Sequence, residues 1–220
     1  MRNSILLSLL FVCSSLYAQI PSGRSKTVTM FNDFQPAVIK LKDGKQSLHK
    51  QTNIFLKNST LVYKKIPTGE IMEASMPVVA SITVGERNFI NVKNQLAEVV
   101  ATEGKASLVR IRTIDVETMK GEYLNNSTIT NSSMLDDLNA GRLIGESMST
   151  TRVDGADDEE PYPLMDTYYY VVGDKATLAH ERSVKLVLKK DQRKDYQIEL
   201  SMGFSWAKQE DLVRLLKFFQ

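Results

Sequence analysis

The chain has 220 residues, with 28 Lys and Arg against 26 Asp and Glu for a formal net charge of +2. That balance lacks the basic surplus of a nucleic-acid binder. A single cysteine, Cys13, excludes an intramolecular disulfide framework and any site built from paired thiolates.

Met1-Arg2-Asn3-Ser4 carries one positive charge, Ile5 to Val12 is an almost unbroken apolar run, and Ser14-Ser15-Leu16-Tyr17-Ala18-Gln19 ends small and polar. This is the three-part layout of a secretory signal, and its apolar core is far shorter than the roughly 20 residues that span a bilayer. We expect cleavage between Ala18 and Gln19 and export to the periplasm or medium. Cys13 raises the alternative of a lipoprotein anchored through that residue, but Val12 stands before it where a small residue is favoured. Removing 18 residues leaves 202 without a cysteine. A chain of this size buries about 70% of its unfolded surface and can rely on its core alone. No segment of the expected mature chain approaches transmembrane length.

Residues 19–25 read as a flexible, Pro- and Gly-marked lead-in. Residues 26–115 read as a β-rich domain, with short runs at Thr27–Phe31, Ala37–Lys42, Asn53–Lys57, Leu61–Lys65, Ile71–Met76, Val79–Val84, Asn88–Val92, Leu96–Val100 and Leu108–Ile114. Turn residues separate them, and strands at this spacing predict an antiparallel sandwich or barrel. Ala37, Ile39 and Leu41 recur two apart, the period of a half-buried strand. Lys42-Asp43-Gly44-Lys45 predicts a type I′ hairpin turn.

Residues 116–165 read as a long connection, polar at 125–133 and acidic from Asp154 to Glu160, with a short helix expected over Ser133–Leu143. Residues 166–220 read as a strand plus a C-terminal helix packed on the β-rich body. Thr167–Val172 is the strand, and Ala176–Lys190 is ambiguous between strand and helix. Ser205 can cap a helix from Trp206 to Phe219, with Leu212, Leu215, Leu216 and Phe219 on one face and Glu210 four residues before Arg214. The fold class is α+β, an antiparallel β-rich body with a C-terminal helical segment.

No reaction is named by the sequence. His49 and His180 have no companions at metal-ligating spacing. Neither phosphate-cradling glycine motif nor a Gly-x-Ser-x-Gly elbow is present. The acidic run Asp154–Glu160 lacks the alternating ligands of an EF-hand and reads as a solvated loop. Glycosylation triplets at Asn58, Asn125, Asn126 and Asn131 carry no weight beside a signal of bacterial type. Trp206, beside Phe204, reads as a staple onto the core. Tyr168, Tyr169 and Tyr170 are the candidate interaction residues, since tyrosine is enriched at interfaces, although alternating aromatics on a strand also serve as core and cross-strand pairs. Catalytic residues, metal ligands and a cofactor are not assigned.

The layout Val38-Ile39-Lys40-Leu41-Lys42-Asp43-Gly44, then Ile71–Ala74, Val79–Val84 and Asn88–Val92, with the ending Phe204 to Phe219, resembles small exported β-rich proteins of Bacteroidota bacteria. Those proteins have no assigned activity, so the resemblance implies location and architecture and transfers no site. The functional expectation is a non-enzymatic binding or assembly module of the cell envelope, its partner another envelope protein or a surface polymer. The alternative is a carboxylate-dependent hydrolase acting on glycans, which needs two acids about 5–9.5 Å apart.

Overall fold

A computed structural model describes residues 19–125 and 161–220. The expected signal with Cys13 and Ala18, the helix expected over Ser133–Leu143 and the acidic run Asp154–Glu160 lie outside the described residues. Among these residues the strands are β1 (Gln19–Ser25), β2 (Gln35–Leu41), β3 (Gln46–Phe55), β4 (Thr60–Lys64), β5 (Ile71–Glu73) and β6 (Val79–Val84). They continue with β7 (Arg87–Val92), β8 (Gln95–Glu103), β9 (Ala106–Ile114), β10 (Tyr162–Val172) and β11 (Lys175–Leu178). The helices are α1 (Val116–Asn125), α2 (Glu181–Val187), α3 (Arg193–Ser201) and α4 (Gln209–Arg214), followed by a 3-10 turn at Leu216–Phe219. The fold is α+β, mostly antiparallel sheet with C-terminal helices, and the sheet is open rather than closed.

Hydrogen-bonded neighbours follow the order β1-β10-β9-β8-β7-β6-β2-β3-β4-β5, with β11 on β10. Short hairpins generate most of this order. At the β7–β8 turn both Lys93 and Asn94 have positive φ, as a two-residue turn requires, and the Asn91 side chain accepts the Asn94 N–H. The Asp43-Gly44 turn differs from the expected type I′ geometry. Only Gly44 is left-handed (φ +86), Gly44 N–H donates to the Leu41 carbonyl, and the Asp43 carboxylate accepts the Lys45 N–H. The Asp43 side chain thus stabilises a longer turn in which one residue alone needs positive φ.

Three other sequence expectations change. Residues 19–25 form the paired strand β1 instead of a flexible lead-in. As an outer strand, β1 tolerates Pro21 and Gly23, which a central strand would not. Thr27–Phe31 is not a strand but a single bridge, Thr29 to Phe55. The hydroxyls of Ser25, Thr27 and Thr29 each donate to the carbonyl two residues on, giving the backbone an alternative to a ladder. Buried Asn53 holds the same segment by accepting the Phe31 N–H and donating to the Phe31 carbonyl. Finally, α1 opens the region read as connection. Asp115 starts it by accepting the Thr118 N–H (3.0 Å) and hydroxyl (2.6 Å).

The chain divides into two units. A strand unit comprises Pro21–Val99 and Arg110–Asp166; a helical unit comprises, among the described residues, 19–20, Val100–Val109 and Thr167–Gln220. Within the strand unit, Ala37, Ile54, Ile82, Phe89 and Leu96 belong to one apolar cluster, while Phe55, Val62, Ile114 and Leu164 belong to another. Their alternation matches the two-residue period of a sheet with a buried face.

The strand unit also holds a row of alternating charge on β7 through β10. Arg87 Nε donates to Glu98 (2.7 Å), and Arg110 Nη2 donates to the other Glu98 oxygen (2.5 Å). Arg112 meets Asp166 with two parallel bonds of 2.7 Å, and Arg110 lies 3.5 Å from the same carboxylate. Burial pushes the Glu98 carboxyl up, but hydrogen bonds from Arg87 and Arg110 outweigh it and hold the group below its ordinary value. Arg87 also lies over the Phe31 and Phe89 rings, at 5.0 and 5.2 Å. Asp166 is 2% exposed. Removing its charge would leave Arg112, largely buried, without the carboxylate it clamps, so Asp166→Asn should cost roughly 3 kcal/mol in urea unfolding. A loss under about 1 kcal/mol would show that the row is not a structural element.

Candidate functional site

The helical unit is built around two tyrosines from β10. Tyr168 and Tyr170 point inward at 5% and 0% exposure and pack with Leu108, Val184, Leu212 and Leu216. The Tyr170 hydroxyl donates to the Leu212 carbonyl (2.8 Å), and its ring stacks on Phe219 at 4.2 Å. Tyr168 bonds the Gln209 side chain. Tyr169, on the opposite face of the strand, is half-buried. Burial pushes the Tyr169 and Tyr170 phenols up, Tyr170 with an added contribution from Tyr196. Two of the three sequence-selected tyrosines therefore pin the α4 segment.

A second set of contacts holds α3. Glu199 is 5% exposed and pairs with Lys217 (2.5 Å) and Arg214. The Lys217 hydrogen bond, with Arg214 adding to it, holds the Glu199 carboxyl low against the opposing effect of burial. Arg214 also meets Asp211 at 2.9 Å, three residues before it, rather than Glu210. Asp211 is placed by the Ser205 N–H, which it accepts, so Ser205 does not cap the helix and α4 begins at Gln209 instead of Trp206. Trp206 meets Phe204 edge-on at 4.9 Å and packs against the unit's core.

The ambiguous stretch 176–190 resolves into β11, a bend and α2. Val184 and Leu188, four apart, are buried, whereas Leu186 is 80% exposed. Between α2 and α3 lies a groove of about 600 Å³. His180 and Glu181 stand at the start of α2, Arg182, Lys185 and Leu186 follow, and Leu188, Arg193, Tyr196 and Gln197 complete the lining. Lys185 is taken up by Glu181 at 2.5 Å, one helical turn away. Arg182 and Arg193 have no carboxylate partner among the described residues, so the lining carries net positive charge.

Tyr196 contributes to this lining but is only 1% exposed, and its hydroxyl is closed off from solvent and finds no hydrogen-bond partner among the described residues. Its ring meets Phe218 edge-on at 5.9 Å. Burial, with the nearby Glu181 charge as a second cause, pushes the phenol up to about 12. It stays protonated at neutral pH. A buried hydroxyl without a partner costs about 1–3 kcal/mol, so the position is unexplained by packing alone.

These groove residues, other than His180, were not singled out by sequence. The available signal was the basic series Arg182, Lys185, Lys189, Lys190, Arg193 and Lys194, with Tyr196 three residues beyond Arg193. His180 lies in the groove, 6.4 Å from the Trp206 ring, whereas His49 packs edge-on to Tyr63 at 4.9 Å in the strand unit. The groove contains one carboxylate, Glu181, paired with Lys185. No family model, no curated protein and no solved structure matches the chain. No helix among the described residues is long and apolar enough to cross a membrane.

If the Tyr196 hydroxyl has no partner inside the fold, its removal relieves a cost. Tyr196→Phe should leave stability to urea unchanged or raise it by about 1 kcal/mol. A drop of more than about 1 kcal/mol would reveal an internal partner.

Proposed function

We propose that the chain is an exported, non-enzymatic binding module of the cell envelope that holds its partner at the basic groove between α2 and α3. One observation supports this reading: Arg182 and Arg193, exposed and without carboxylate partners among the described residues, line one concavity of about 600 Å³ together with exposed Leu186. Guanidinium groups that no carboxylate of the fold takes up are open to an anionic partner. The signal-like N-terminus and the likeness to exported Bacteroidota proteins support the location.

The test is cross-linked capture from the cell envelope with a C-terminally tagged full chain, read by mass spectrometry for partners and for the mature N-terminus. The reading expects a reproducible envelope partner, a first residue Gln19, and loss of capture by at least tenfold when Arg182 and Arg193 are both changed to Glu. A partner held equally by the charge-reversed variant would move the site elsewhere. An unprocessed N-terminus with a cytoplasmic partner would overturn the export reading, and an acylated Cys13 would replace soluble export by anchoring.

A further inference from the structure

Strand β3 changes partner along its length. Residues Gln46–His49 pair with β2, while pairing with β4 begins only at Thr52. Gln46–Gln51 is therefore a sheet edge, with β2 on one side and no strand of the described residues on the other. Apart from half-buried His49 these residues are exposed, so the edge is uncovered. The Leu41 N–H donates to the Lys45 carbonyl, and counting along the ladder makes Ile39 and Ser47 the next hydrogen-bonded pair. The N–H and C=O of Gln46 and Leu48 thus point away from β2, into the open edge. Backbone groups left in this way are a template for one more strand. The side chains beside them add a second signal. Val38 and Leu48 face each other across the β2–β3 pair at 42% and 69% exposure, an apolar spot on the solvent side of the sheet. Lys40 stands two residues from Val38 and Lys50 two residues from Leu48; both are exposed, and neither has a carboxylate partner among the described residues. Lys45 is already taken up by Asp43 at 3.0 Å.

We infer that the open half of β3 binds an extended, acidic segment of a partner protein by adding it to the sheet as a strand. Gln46 and Leu48 supply the backbone bonds, an apolar residue of the segment covers Leu48 and Val38, and its carboxylates meet Lys40 and Lys50. This surface lies in the strand unit and does not depend on the groove between α2 and α3. The alternatives fit less well. A second copy would bring two lysine-bearing edges together, and lysine on an edge works against self-pairing while leaving an acidic strand favoured. A lipid surface would cover Leu48 but strip water from the edge amides without replacing it.

The full chain would be titrated with a capped peptide of alternating valine and threonine that carries aspartate towards both ends. Two relatives serve as controls, one with lysine for aspartate and one with alternate amides N-methylated to remove the donors an edge needs. Amide hydrogen exchange read by NMR should slow at least tenfold at Gln46 and Leu48 on saturation, and change little at Ser47, which already pairs with β2. Anisotropy of the labelled peptides should show the acidic one binding at least tenfold more tightly than either control. Leu48→Asp, at an exposed side chain, should weaken the acidic peptide about tenfold without moving the urea midpoint. Lys40→Glu with Lys50→Glu should reverse the preference between the acidic and lysine peptides. Equal binding of the N-methylated peptide would overturn strand addition, and equal binding of the lysine peptide would overturn the acidic partner. No binding of the acidic peptide at about 1 mM would also overturn the inference. So would slow exchange at Gln46 and Leu48 without peptide together with a dimer in sedimentation, which would make the occupant a second copy.

Discussion

A carboxylate buried at 2% exposure cannot be left unpaired, and Asp166 imposes that condition on the strand unit. Arg112 answers with a two-bond clamp, Arg110 bridges from Asp166 to Glu98, and Glu98 passes the pairing on to Arg87. The partners lie on four successive strands of the sheet. A slip of one residue between any two would turn a charged side chain to the opposite face, so the row fixes register where apolar side chains alone would fix it less sharply. Along β9 the side chains pass from Leu108 to Arg110 and Arg112 and then to Ile114. Along β10 they pass from Leu164 to Asp166 and then to Tyr168. Both strands change unit, in sequence, at these charged residues.

In the helical unit the order of dependence runs from β10 outward. Tyr170 bonds the Leu212 carbonyl and stacks on Phe219, which fixes the last turns of the chain. Lys217 and Arg214 from those turns pair with buried Glu199, and Phe218 meets the Tyr196 ring. Gln192 adds a bond to the Phe218 carbonyl just before α3. These contacts place α3, and with it Tyr196 and Arg193. The groove residues are therefore held by buried contacts, while the lining keeps Arg182 and Arg193 without carboxylate partners among the described residues.

The sheet was legible where one principle decided the outcome. Val79–Val84 is a strand in both sequence and structure, where buried Ile82 and Val84 recur two apart in a β-branched run that ends at Gly85. Legibility failed where side-chain hydrogen bonds competed with the ladder, as the hydroxyls of Ser25, Thr27 and Thr29 do. It failed also at the first half of β3, where Gln46–Lys50 is largely exposed and shows no apolar alternation. The groove was hidden for another reason. Val184, Leu186 and Leu188 alternate like a strand, yet the four-residue spacing of Val184 and Leu188 prevails and Leu186 is left exposed. Short polar helices then join side chains whose proximity no local pattern announces. Tyr168–Tyr170 stood out because aromatic strands are conspicuous, although two of the three serve the core.

The most direct measurement is a double-mutant cycle in urea unfolding that combines Arg112→Ala with Asp166→Asn. Because the two side chains meet through two parallel bonds of 2.7 Å, the account predicts a coupling energy of about 2 kcal/mol or more. Additive losses, with a coupling under about 0.5 kcal/mol, would contradict the claim that the charged row organises these strands.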